Sequence, residues 1–279
     1  MAQSAGAFVP GHVTGFFSAH QDDDPTKAGS RGAGVAVDEG VVVRLEPGDG
    51  LELNGEPATI DAIDRVLDAL GATARVIVET DLPLGAGFGV SGAAALGTAF
   101  ATNAVFGREL SENELVTIAH GSEVQAGTGL GDVVAQARGG FPIRLEPGAP
   151  AHGAMDGIPD RRPIEYVNFG ELSTAEILTS DTDELTAAGT RALSALVAEP
   201  TVETFMAASR RFSREADLLT TPVEEAIRAV SETGGEAAMA MLGETVFALD
   251  DGLSEAGYDA ERCERVYRGL SQRAAGRAA

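Results

Sequence analysis

The chain has 279 residues, 44% of them hydrophobic, which is enough for one large or two modest domains with a true core. Its 43 acidic residues outnumber 20 basic ones, for a net charge of −23, and Lys27 is the only lysine. Such a balance argues against a nucleic-acid or anionic-membrane surface, because both need clusters of Lys and Arg, and points to a small-molecule partner.

No run of about 20 uninterrupted apolar residues is present, and the N-terminus lacks a basic region followed by an apolar one, so a cytoplasmic protein is expected. The acidic surplus, the scarcity of Lys and the absence of Trp point to a salt-adapted cytosol. The lone Cys263 has no intrachain partner and reads as a structural thiol.

In chain order, residues 7–17 start as a strand and turn at Pro10-Gly11, with Phe16 and Phe17 as core residues. Asp22, Asp23 and Asp24 form a solvated loop tip, since no further oxygen ligands follow at calcium-loop spacing. After a Gly-rich turn at 28–34, residues 35–37 and 41–45 read as two strands of a hairpin joined by Asp38-Glu-Gly40. Residues 58–70 place Ile60, Ile63, Val66, Leu67 and Leu70 on one helical face, and Gly71 ends that helix.

A β-branched strand at 74–80 then leads through residues 81–90 into an Ala-rich helix that starts at Ser91, with Leu96, Phe100 and Val105 at helical intervals. Gly85, Gly87 and Gly89 in this connection remove the side chains that would keep a ligand off the backbone, next to the free N–H groups of a helix start. Such a loop suits phosphate. Gly-rich strand-to-helix turns also serve packing alone, so spacing by itself leaves both readings open.

Farther on, Ser111 caps a helix that runs through His120 and Glu123 into the loop Gly127-Thr-Gly-Leu-Gly131, followed by Asp132 and a Gly139-Gly140 turn. The Gly- and Pro-rich stretch 148–159 holds the expected boundary between domains 1–155 and 156–279, with His152 as an exposed loop histidine. The second half reads as a strand at 163–169, helices at 173–179, 182–198, 201–219 and 222–233, a Gly234-Gly235 turn with a strand to Leu249, and a last helix at 259–273. Met239 and Met241 read as core. The pattern as a whole predicts an α+β protein, a mixed sheet with helices followed by helices on a small antiparallel sheet.

The motif Pro83-Leu-Gly-Ala-Gly-Phe-Gly-Val-Ser-Gly-Ala-Ala94 resembles the ATP-binding loop of the GHMP kinases, usually Pro-x-x-x-Gly-Leu-Gly-Ser-Ser-Ala-Ala. Phe88 stands for Leu and Val90 for the first Ser, while Ser91 keeps the second. Pro10-Gly-His-Val13 resembles their N-terminal Pro-Gly-Lys/Arg-Val motif, with His12 in the basic place. Within the superfamily, Phe8-Val-Pro-Gly-His-Val-Thr-Gly-Phe-Phe17, Gly129-Leu-Gly-Asp132 and Gly235-Glu-Ala-Ala-Met-Ala-Met-Leu-Gly-Glu-Thr-Val-Phe247 resemble the archaeal pantoate kinase family, over nearly the whole chain.

This resemblance implies a two-domain GHMP kinase-like fold and ATP on Pro83, Gly85, Ala86, Gly87, Phe88, Gly89, Val90, Ser91 and Gly92. It implies Mg²⁺ held by Ser91 and Glu123, and an Asp132 that accepts the proton of the attacking hydroxyl or orients it. Ser30, His120, Arg144 and Thr174 are the implied substrate partners, and the implied assembly is a homodimer. The implied reaction is ATP-dependent phosphorylation of the 4-hydroxyl of pantoate on the route to coenzyme A. Another GHMP small-molecule kinase acting on homoserine or a mevalonate-like acid, and a non-catalytic ligand-binding regulator, are the alternatives.

Phosphoryl transfer asks mainly for charge neutralisation and alignment. With a single lysine in the chain, neutralisation must come from Mg²⁺, backbone N–H groups, a helix N-terminus and arginine. The acidic surplus carries its own expectation: the melting temperature rises between about 0.1 M and molar KCl, as self-repulsion is screened over a Debye length that falls from about 10 to about 3 Å. Thermal melting at both salt concentrations checks it.

Overall fold

The computed structural model describes residues 5–170, 183–241, 243–264, 266 and 271–274. Two sheets organise them. The first is built on two long strands, β1 (Ala5–His20) and β2 (Gly29–Glu46), paired antiparallel from Gly6↔Arg44 to His20↔Gly29. Its order is β12-β1-β2-β5-β3-β4, with β3 (Leu51–Leu53), β4 (Glu56–Pro57), β5 (Arg75–Thr80) and β12 (Ser271–Ala274). Below β5, β6 (Phe141–Glu146) pairs with β2, and β7 (Ala154–Ile158) pairs with β6. The β3–β5 pair is parallel and the others are antiparallel, so the sheet is mixed.

The hairpin expected at Asp38-Glu-Gly40 is a bulge inside β2. Pro10 pairs with Gly40 and Gly11 with Val37, so Asp38 and Glu39 fall out of the register while both halves of β2 stay on one partner strand. The turn expected at Pro10-Gly11 is the matching irregularity in β1. The local turn chemistry is real, but the ladder to a 16-residue partner overrides chain reversal.

The bulge also marks a change of core. Before it in β1 and after it in β2, Ala7, Val9, Val41 and Val43 pack under three helices, α1 (Asp61–Ala69), α2 (Val90–Phe106) and α3 (Glu112–Ala126). Beyond it, Val13, Phe16, Phe17, Val35 and Val37 join a second core shared with the C-terminal half. No charged residue occurs in α2, and every residue from Gly92 to Thr102 is buried, as expected for a helix covered on all sides. Ser111 caps α3 through a complete capping box with Glu114.

The second sheet is antiparallel, in the order β11-β8-β10-β9, from β8 (Ile164–Asn168), β9 (Ala237–Ala240), β10 (Thr245–Leu249) and β11 (Glu261–Cys263). Helices α5 (Asp183–Ala198), α6 (Val202–Glu215) and α7 (Thr221–Glu232) pack with it. Phe205 of α6 ties the halves together, with ring centroids 6.2 Å from Phe16 of β1, 5.8 Å from Phe141 of β6 and 6.0 Å from Phe247 of β10. The short helices α4 (Asp132–Arg138) and α8 (Gly252–Glu255) complete the set.

Residue 155 lies in β7, which pairs with β6 of the first sheet, and the second sheet begins at Ile164. Two further expectations are corrected. The single strand expected up to Leu249 is the hairpin β9–β10. The helix expected at 259–273 is replaced, among the described residues, by β11 pairing with β8 and β12 pairing with β1, where tertiary pairing overrides helix propensity. The helix expected at 173–179 lies outside the described residues. Among those described, no helix is long and apolar enough to cross a membrane, and Cys263 is buried and free.

Candidate active site

A cavity of about 240 Å³ opens where the glycine loop, the end of α3, the start of α4 and the inner strands meet. Gly85, Gly87, Phe88, Gly89, Val90 and Ser91 line it from the loop, and Glu123, Gly131, Asp132, Ser30 and Arg144 from the other elements. Ala86 and Phe88 are themselves buried. Pro83 instead lines a separate depression with Asp81 and Asn168, and Gly92 lies within α2 behind the cavity wall.

Glycine is required at two loop positions. Gly87 has φ 87°, and a Cβ there would lie 2.7 Å from the Met241 carbonyl. Gly89, the N-cap of α2, has φ 64°, and a Cβ there would come within 3.0 Å of Asp132. The left-handed backbone and the close approach of α4 both demand a residue without a side chain.

Asp132 stands at the first position of α4, with 24% of its side chain exposed to the cavity. His12, fully buried on β1, lies with Nδ1 2.8 Å from Asp132 Oδ1, and Thr14, two residues on and on the same strand face, donates its hydroxyl to the same oxygen at 3.5 Å. Burial alone would raise the Asp132 pKa. The hydrogen bond from His12, the charge of Arg144 and the Thr14 hydroxyl outweigh it and hold the carboxyl below its ordinary range. Burial depresses the His12 pKa despite Asp132, so the imidazole is neutral at pH 7 with its proton on Nδ1. His12 Nε2 is left without a partner.

Arg144 of β6 is 2% exposed, and its Nε and Nη1 have no hydrogen-bond partner. Desolvation lowers its pKa, yet guanidinium stays charged in proteins, so this is a buried cation with donors left unpaired. Gly131 allows the packing: a Cβ there would sit 2.3 Å from Ser30 Oγ and 2.7 Å from Arg144 Nε.

On the opposite side, Ser91 donates to Glu123 Oε2 at 3.1 Å. Burial pushes the Glu123 carboxyl up to about 7; hydrogen bonds from Thr128 and Ser91 oppose that rise and the Asp132 charge adds to it. A buried carboxylate beside a hydroxyl is a fitting pair of oxygen donors for a hard divalent cation, which removes the penalty of ionising Glu123. Among the described residues no three His, Cys, Asp or Glu side chains gather for a metal, so such an ion would take its remaining ligands from phosphate and water.

The structure thus brings together Ser30, Ser91, Glu123, Asp132 and Arg144. His120 does not line the cavity; its Nε2 lies 2.8 Å from the Ala28 carbonyl, behind the strand start that carries Ser30. Thr174 lies outside the described residues. His12, read from sequence only as standing in a basic place, is the hydrogen-bond partner of Asp132, and Thr14 was not singled out. The signal for Thr14 was its i, i+2 spacing from His12 on a strand. Phe17 and Met241, expected as core, are buried and also line the cavity.

Residues 58–140 match the family model of the GHMP kinases N terminal domain, a span that includes the glycine loop, Ser91, Glu123 and Asp132. The chain is 36% identical over 250 residues to the pantoate kinase of Methanocaldococcus jannaschii, covering 87% of this chain and 91% of that protein. It is 35% identical over 254 residues to the pantoate kinase of Methanospirillum hungatei, covering 87% and 86%. A solved structure described as a phosphotransferase related to the CoA biosynthesis pathway superposes with a TM-score of 0.86 at 29% identity, over 98% of this chain and 99% of that one.

Fold and glycine loop together define a GHMP kinase, an ATP-dependent small-molecule phosphotransferase. Within that superfamily the chain belongs to the pantoate kinase family.

The raised Glu123 pKa sets a pH dependence. A carboxyl that binds its proton more tightly folded than unfolded stabilises the fold at low pH and loses that contribution as pH rises from about 4.5 through about 7. Without divalent cations, stability therefore falls over that window, and Glu123→Gln flattens the fall. Denaturant melts at closely spaced pH values measure both.

Proposed function

We propose that this chain transfers the γ-phosphoryl group of ATP to the 4-hydroxyl of pantoate, a step toward coenzyme A. The observation that carries this reading is Arg144: a buried guanidinium with free donors, next to an ionised Asp132, in a cavity that reaches the glycine loop. A small hydroxy acid supplies both the carboxylate that a forked guanidinium binds and the hydroxyl that an aspartate can deprotonate.

In this reading the loop of Gly85, Gly87 and Gly89 and the start of α2 hold the phosphates through backbone N–H groups and the helix dipole. Ser91 and Glu123 would hold Mg²⁺, and the ion would supply charge neutralisation at the phosphates. Asp132 aligns the acceptor hydroxyl and takes its proton as the oxygen bonds to the γ-phosphorus and the bond to the ADP oxygen breaks. His12 donates from Nδ1 and keeps Asp132 ionised and turned toward the cavity. Ser30 and Arg144 hold the acceptor, and His120 supports Ser30 through the Ala28 carbonyl.

Coupled ADP-release assays with pantoate, homoserine and mevalonate test the acceptor. A kcat/KM for pantoate at least about tenfold above the others is expected, and equal or better use of homoserine would overturn the assignment.

Two variants test the roles. Asp132→Asn lowers kcat by about 10² to 10⁴, the range of general acid–base contributions. His12→Ala moves the acid limb of the kcat profile to higher pH, because the carboxyl it held below its ordinary range rises when the hydrogen bond is lost. An unmoved limb in His12→Ala would contradict the role given to His12.

A further inference from the structure

A loop of glycines has little of its own to fix its peptide planes, and a carbonyl that turned into the cavity would set a negative dipole against a phosphate. Three loop carbonyls are fastened from outside, each by a different part of the chain. The Ala86 carbonyl accepts from Thr245 Oγ1 at 2.8 Å, the Phe88 carbonyl from the His12 backbone N–H at 3.0 Å, and the Gly89 carbonyl from Gln136 Nε2 at 2.9 Å. Neither Gln136 nor Thr245 lines the cavity, and both are fully buried, so these bonds draw the carbonyls away from it.

Stability alone explains Gln136 poorly. Its Oε1 is buried without a partner, and leaving a buried acceptor unsatisfied is destabilising. An apolar side chain would avoid that cost. What the amide supplies is a fixed link between two helices. Gln136 stands one turn after Asp132 on α4, and the oxygen it holds also accepts the Ala93 N–H that starts α2.

We infer that Gln136 and Thr245 are positioning residues that hold the nucleotide loop's carbonyls outward and fix its distance from Asp132. This role rests on the ATP-dependent reading above, but not on the identity of the acceptor.

The test is the affinity of the full-length protein for a non-hydrolysable ATP analogue, by calorimetry, in Thr245→Val and Gln136→Leu, with Thr245→Ser as the rescue. Thr245→Val and Gln136→Leu are expected to weaken the analogue at least about fivefold, or more than about 0.9 kcal/mol. Thr245→Ser should return to within about twofold of the wild type, and the KM for the acceptor should stay within about threefold in all. A merely structural role would lower melting temperatures without this split between nucleotide and acceptor.

Analogue affinities of Thr245→Val and Gln136→Leu within about twofold of the wild type would overturn the inference. If Gln136→Leu does not fold, Thr245→Val, close in shape to the native residue, decides alone. A wild-type chain with no affinity for the analogue would overturn the nucleotide reading itself, and this role with it.

Discussion

The contact between His12 and Asp132 governs much of the site, because it sets the charge of a carboxylate that burial would otherwise neutralise. Asp132 lies in a cavity walled by Phe17, Phe88 and Met241, where desolvation works against ionisation. A neutral imidazole donating at 2.8 Å, with the Arg144 guanidinium nearby, reverses that tendency without placing a second mobile cation beside it. Glu123 shows the opposite outcome in the same cavity. Burial pushes its carboxyl up to about 7, and the hydroxyls of Thr128 and Ser91 only partly oppose the rise. Two acids that line one cavity are thus shifted in opposite directions by their surroundings.

The fold makes this contact possible through the two long strands. His12 follows the irregularity at Pro10/Gly11 and lies on the segment of β1 that has just passed from one core to the other. Its backbone N–H reaches the Phe88 carbonyl and its side chain reaches Asp132, so one residue touches both the glycine loop and α4. Gly34 leaves space for the ring, since a Cβ there would lie 2.4 Å from His12 Nε2.

Charge economy explains the rest of the arrangement. A chain with net charge −23 and one lysine, Lys27, half-exposed and paired with Asp24, has few cations to give a polyphosphate. Among the described residues, Arg144 is a buried arginine in the cavity wall whose Nε and Nη1 have no hydrogen-bond partner. The exposed arginines are largely engaged in surface ion pairs such as Arg65 with Asp61 and Arg191 with Glu215. Pairs of this kind contribute little to stability, and they leave the cavity's positive charge undiluted.

The sequence by itself determined what is local. Helix periodicity placed α1, α2 and α3, Ser111 announced its capping box, and the glycine spacing between β5 and α2 marked the loop, since these depend on contacts within a few residues. The order of Ser91, Glu123 and Asp132 after that loop also made the candidate site legible through its resemblance to the GHMP kinases. Tertiary structure alone decided the rest. Asp38-Glu-Gly40 carries turn chemistry but became a bulge because a long partner strand held both flanks. Residues 261–263 and 271–274 became strands because sheet edges were there to pair with. His12 met Asp132 across 120 positions of sequence, a distance over which no periodicity carries information.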